Sequence, residues 1–221
     1  MTPDLTIRDL LFRDVDGEYS TEPDTVIDGA ATEPRYLERV PALKRVLAES
    51  TERYHRYLAV VALATWGEPE AYPIVERVAR EGRDTEWFGM FKDVEGRDTT
   101  FPTIAGAVAE GRTFAVVAGG ENHRLDAVRA LLARAGDLYF GWQLRYAADD
   151  PLVADALADA VGAAIGVERT DFDVELQLAD LITVLAGYDR ERAVDLAERL
   201  LATDRRMIVR THLSPVVPFR A

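Results

Sequence analysis

Leu58-Ala59-Val60-Val61-Ala62-Leu63-Ala64-Thr65-Trp66, closed by Gly67, is apolar around the full turn of a helix. A helix apolar all round is buried on most sides, and this run falls well short of the roughly 18 residues a membrane span requires. It therefore reads as the central helix of a folded core, over about 52–66, with Thr51 placed to cap it. Upstream, Tyr36, Leu37, Val40, Leu43, Val46 and Leu47 form one stripe at helical spacing. Pro41 should kink or divide that helix. Downstream, Gly67 ends the central helix and Pro69 opens a helix over about 69–80 that buries Ile74, Val75 and Val78.

The same punctuation recurs later. Asp150-Pro151 is an N-cap acid followed by proline at the first helical position. Thr170 and Asp173 have the spacing of a capping box. Asp189 caps a long helix whose stripe is Ala193, Val194, Ala197, Leu200 and Leu201, with Asp195 and Arg199 paired one turn apart on its surface. Leu58-Ala59-Val60-Val61-Ala62 before Gly67 matches Leu178-Ala179-Asp180-Leu181-Ile182 before Gly187. Val75-Glu76-Arg77-Val78-Ala79 likewise matches Ala197-Glu198-Arg199-Leu200-Leu201. Further hairpins fall at Phe114–Leu132, turning at Gly119-Gly120, and at 138–148 with 151–165. Four antiparallel pairs of this length resemble HEAT-like helical repeat proteins over about residues 51–203. The expected class is all-α, with hairpins stacked as a HEAT-like α-solenoid or closed as a compact helical bundle. A local alternative makes Thr113–Ala118 a strand leading into a phosphate-cradling glycine turn.

Residues 1–33 form a distinct acidic segment, carrying a net of −7 out of −13. A short helix at about 4–14 should bury Leu5, Leu10 and Leu11, with loop beyond it. Residues 34–203 form the helical domain, interrupted by a long aromatic loop at 82–102. Residues 204–221 read as an extended C-terminal tail with Pro215 and Pro218, whose apolar side chains would lie along the body or on a second copy of the chain.

Composition narrows the function. With no cysteine, disulfides and thiolate metal sites are excluded. Only Lys44 and Lys92 among the 26 cationic residues are lysines, the arginine-rich usage of a GC-rich, bacterial genome. No basic patch offsets the acidity, so neither nucleic acid nor an anionic membrane is expected as a partner. A basic protein is electrostatically welcome. Without a recognisable signal peptide or membrane span, a cytoplasmic location is expected.

Catalytic patterns are scarce. Ser20, Ser50 and Ser214 lie outside any nucleophile elbow, and HExxH and P-loop motifs are absent. His55, His123 and His212 have no partner histidine at metal-ligand spacing, so neither a metal nor a cofactor is expected. Asp14-Val15-Asp16-Gly17-Glu18 echoes a calcium loop but carries Thr25 where the loop requires glutamate, and reads as a solvated turn. The loop at 82–102 holds Trp87, Phe88 and Phe91 among Asp84, Glu86, Asp93 and Glu95. Long loops are often functional, and aromatic residues are enriched in interface cores. These seven residues are the candidate partner-binding surface; in the alternative, the aromatics fold back as a plug on the core, with a short helix at 85–91. The expected function is a non-enzymatic protein-binding module that occludes a basic partner, in character similar to bacterial immunity or inhibitor proteins. An enzyme or small-ligand protein with an Asp/Glu/Arg-lined pocket, and a structural homo-oligomer subunit, are the alternatives.

Overall fold

The computed structural model describes residues 6–218. Among them every regular element is helical: α1 (Ile7–Leu11), α2 (Asp24–Ile27), α3 (Val40–Glu49), α4 (Arg53–Thr65), α5 (Tyr72–Glu81), α6 (Thr100–Glu110), α7 (Arg112–Ala118), α8 (Glu121–Leu132), α9 (Gln143–Ala147), α10 (Ala154–Ala164), α11 (Val174–Leu185), α12 (Arg190–Thr203) and α13 (Met207–Leu213). Extended pairing is confined to two isolated antiparallel bridges, Arg13 with Tyr19 and Lys92 with Asp98. No helix is long and apolar enough to cross a membrane.

The apolar helix of the sequence is α4, buried on every side from Tyr57 to Trp66. Its neighbours are α3 and α6; α6 in turn lies on α9, α9 on α11, and α11 on α13. A second series of contacts runs from α5 to α8, α10 and α12. The two series meet where α4 packs on α5, α8 on α6 and α9, and α10 and α12 on α11. Two glycines permit the closest approach. A Cβ at Gly111, between α6 and α7, would collide with the Ala64 carbonyl of α4. One at Gly67, which sits at φ +74°, would strike the backbone at Phe114 and Ala115.

Buried polar groups fix the connections. Arg124 of α8 is 1% exposed and donates to Asp150 Oδ2 at 2.7 Å and Glu121 Oε2 at 2.8 Å. Removing one member of such a pair costs about 3–5 kcal/mol because the other stays buried and charged. Gln177 of α11 donates to the Ala135 and Leu138 carbonyls and accepts from the Phe140 amide, so one side chain holds the turn before α9.

Several local expectations are met. Asp150 accepts from the Leu152 amide and Asp189 from Arg192, and Asp195 pairs with Arg199 at 3.7 Å. Pro41 divides its helix, with a 3-10 stretch at Pro34–Arg39 before α3. Others are corrected. Thr51 does not cap α4, whose N-cap is Glu52, and α5 begins at Tyr72 rather than Pro69. Asp173, not Thr170, caps α11. Thr113–Ala118 is helical, as part of α7, so no strand feeds a phosphate turn. The tail is not extended: Met207–Leu213 forms α13, placing Val209, Leu213 and Val216 in the core while Met207 and Ile208 face outward. Its prolines lie beyond the helix, where they stop it rather than prevent it. In the acidic segment, α1 buries Leu10 and Leu11, and α2 occupies part of the expected loop; Leu5 lies outside the described residues.

Candidate functional site

The loop at 82–102 folds back onto the core. Trp87 is 1% exposed and meets Tyr57 edge-on at 5.6 Å, and Phe91 stacks on Tyr57 at 5.0 Å. Phe88 is half-buried against Phe101, and turns rather than a helix span 85–90. Trp87 is therefore inaccessible to a partner, a correction to its place in the candidate surface. Its physical cause is the apolar α4, which offers Tyr57 as a packing face. Glu86 is held by Arg56 at 2.6 Å, and Glu95 and Asp93 are both held by Arg97. Asp84 alone of the four acids is exposed without an ion pair to any of the described residues.

The second half of this loop repeats the acidic segment. Phe12-Arg13-Asp14-Val15-Asp16-Gly17 corresponds to Phe91-Lys92-Asp93-Val94-Glu95-Gly96, and Ser20, Thr21 and Pro23 correspond to Thr99, Thr100 and Pro102. The backbone repeats as well. Asp14 Oδ1 accepts from the amides of Asp16 and Glu18, and Asp93 Oδ1 from those of Glu95 and Arg97. Gly17 and Gly96 adopt φ of +97° and +82°. The carboxylate of the calcium-like loop thus closes its own turn. Helical periodicity passes over this duplication because neither copy is helical. A self-comparison at a spacing of 79 residues, Phe12 to Phe91, reveals it.

Between the two hairpin exits a groove crosses α6 and the start of α9. One half, of 350 Å³, is lined by Asp24, Asp28, Val61, Thr65, Thr103, Glu110 and neighbours. The other, of 510 Å³, includes Tyr139, Trp142, Asp180 and His212. The two halves adjoin at the shared lining residues Thr99, Pro102 and Gln143.

The two ends differ in charge. At the α11 end the carboxylates are paired: Asp180 with His212 Nδ1 at 2.9 Å, and Asp173 with Arg206 at 2.7 Å. At the α2 end, Asp24, Asp28 and Glu110 have no cationic partner among the described residues. Partial desolvation against the helices, and then the charge of Asp24, push Asp28 above the ordinary carboxylate range. Glu110 is raised by desolvation, then by Asp28 and Asp24. Trp142, 66% exposed, stands in the wall, with Tyr146 one turn further along α9.

The three histidines are scattered. His55 is half-buried on α4 and His123 is exposed on α8, whose N-cap is Gly120. No group of three His, Asp or Glu side chains among the described residues has metal-ligand geometry. Compared with family models, curated proteins and solved structures, the chain shows no significant match to any. The fold itself defines the class as an all-α protein.

Proposed function

We propose that this chain is a non-enzymatic protein-binding module of stacked antiparallel helical pairs, and that its groove receives a basic segment of a partner protein. The stacking reading is supported by the two series of neighbour contacts, α4–α6–α9–α11 and α5–α8–α10–α12, which alternate along the chain as HEAT-like pairs do. The observation that carries the function is the unpaired trio Asp24, Asp28 and Glu110, in a chain where many carboxylates are held by arginine. Repelling carboxylates without a counter-ion gain when a guanidinium or ammonium arrives. Trp142 and Tyr146 supply aromatic faces for the apolar part of such a segment, and arginine stacks well on them.

The test is a titration with a synthetic arginine-rich peptide, read from Trp142, since Trp66 and Trp87 are buried. Asp24→Asn/Asp28→Asn/Glu110→Gln should weaken binding roughly tenfold, at about 0.2–1 kcal/mol for each exposed charge. A charge-matched control, Glu191→Gln/Asp195→Asn/Glu198→Gln on the outer face of α12, should leave it near the wild-type value. Equal losses in both variants would reduce the effect to net charge and reject the groove. Because Asp28 and Glu110 are raised, acid should abolish binding at a pH above that at which ordinary carboxylates discharge.

A further inference from the structure

Beneath the second hairpin lies a cavity of 250 Å³, more enclosed than the groove. Its walls are the rings of Phe88, Phe101 and Tyr139, and its polar lining includes Arg83, Lys92, Arg97, Asp98 and Asp171. In the first hairpin the equivalent space is filled. Arg13, the counterpart of Lys92, folds over Gly17 and donates to its carbonyl at 3.1 Å. Tyr19, the counterpart of Asp98, lies under the guanidiniums of Arg8 and Arg13 and donates to Asp9 at 2.6 Å. In the second hairpin nothing stands within 4 Å of where a Cβ on Gly96 or Gly89 would be, and the space stays open.

The lining holds three cations and two carboxylates. Asp171 is held by Arg83 at 2.6 Å and Arg169 at 3.2 Å, and Asp98 accepts from the Gly89 amide at 2.6 Å and from Thr100. Both carboxylates are thus satisfied. Lys92, by contrast, makes no side-chain hydrogen bond or ion pair with a described residue, whereas Arg83 donates to Asp171 and to the Asp137 carbonyl. Arg97 is held by Asp93 and Glu95 and Arg83 by Asp171, which leaves Lys92 as the lining cation without a partner among the described residues. An ammonium without a counter-ion gains when a carboxylate arrives beside it. The volume equals about eight water molecules at roughly 30 Å³ each, room for one substituted ring.

We propose that the cavity under the second hairpin is a binding site for a small aromatic carboxylate. The ring lies among Phe88, Phe101 and Tyr139, and the carboxylate pairs with the Lys92 ammonium. The reading is independent of the groove, because the carboxylate trio at the α2 end lines no part of this cavity.

Benzoate is the probe, with neutral benzamide and cationic benzamidine as isosteres, followed by calorimetry and by saturation-transfer NMR on the full chain. Benzoate should bind, benzamide should bind at least roughly tenfold more weakly, and benzamidine should not bind. Lys92→Met removes an exposed charge without touching the core, and should weaken benzoate roughly tenfold at an unchanged melting temperature. Lys92→Arg/Asp98→Tyr places the arginine and the ring of the first hairpin in the second and should abolish binding by filling the cavity. Absence of benzoate binding, equal affinity for benzamide, or undiminished affinity in Lys92→Met would each overturn the proposal. The groove variant Asp24→Asn/Asp28→Asn/Glu110→Gln should bind benzoate as wild type does, so the failure of one reading leaves the other separately measured.

Discussion

The hairpins at 12–20 and 91–99 share a turn, a glycine and a closing carboxylate, yet they are fastened to the body by different means. The first is tied from outside: Arg39 donates to the carbonyls of Leu10, Arg13 and Asp14, at 2.8, 2.6 and 3.3 Å. The second is tied from inside, through the buried Trp87, whose carbonyl accepts from Thr100 Oγ1 at 3.0 Å. Their flanking chemistry is also exchanged. Asp9 and Tyr19 of the first correspond to Phe88 and Asp98 of the second, so acid and aromatic ring trade places. In the first, ring and acid meet and close the space. In the second, the acid turns back to Gly89 and Thr100, the ring packs on Phe101, and a cavity remains. The lesson is that one backbone motif can be a sealed turn or the roof of a cavity, depending on two side chains.

The largest effect that would break this comparison is loss of the internal anchor. Trp87→Ala should cost about 3–5 kcal/mol, the usual range for truncating a buried large aromatic residue, and lower the thermal midpoint of the whole chain. A small shift would show that the second hairpin is held elsewhere. Arg39→Ala removes three hydrogen bonds from a half-buried guanidinium and should cost roughly 1.5–3 kcal/mol. Hydrogen exchange should show the loss of protection concentrated in residues 10–20, leaving 91–99 unaffected.

The smallest effect is the response to acid, and its sign differs between the copies. Hydrogen bonds from Thr6, then from Tyr19, lower Asp9 to about 2. A depressed carboxyl contributes stability that is present above its unfolded value near 4 and lost as pH falls through 2. Burial, by contrast, raises Asp98 above its ordinary value despite its hydrogen bonds. Its folded form takes up a proton before the unfolded form does, so acidification through that window favours the folded hairpin. NMR titration should show the Gly89 amide, which donates to Asp98, moving at higher pH than the resonances of Tyr19. The reverse order would contradict the exchanged chemistry of the two copies.

Much of the chain was legible residue by residue. The apolar circuit of Leu58–Trp66 determined a buried helix, because no other arrangement removes all of its faces from water. Asp150-Pro151 and Asp189 determined helix starts, because a cap depends on atoms a few residues apart. The tail was misread where its later prolines were given weight over the spacing of Val209, Leu213 and Val216. The duplicated hairpin was also present in the sequence, although its signal lies in turn chemistry rather than in periodicity. What only the tertiary structure decided is which side chains meet across distance. Trp87 found Tyr57, Arg124 found Asp150, and Asp24 and Asp28 came to face Glu110 across a groove. Aromatic and acidic residues in a loop look the same in sequence whether they turn inward or outward. The choice belongs to the surface they meet, which is assembled from helices far away along the chain.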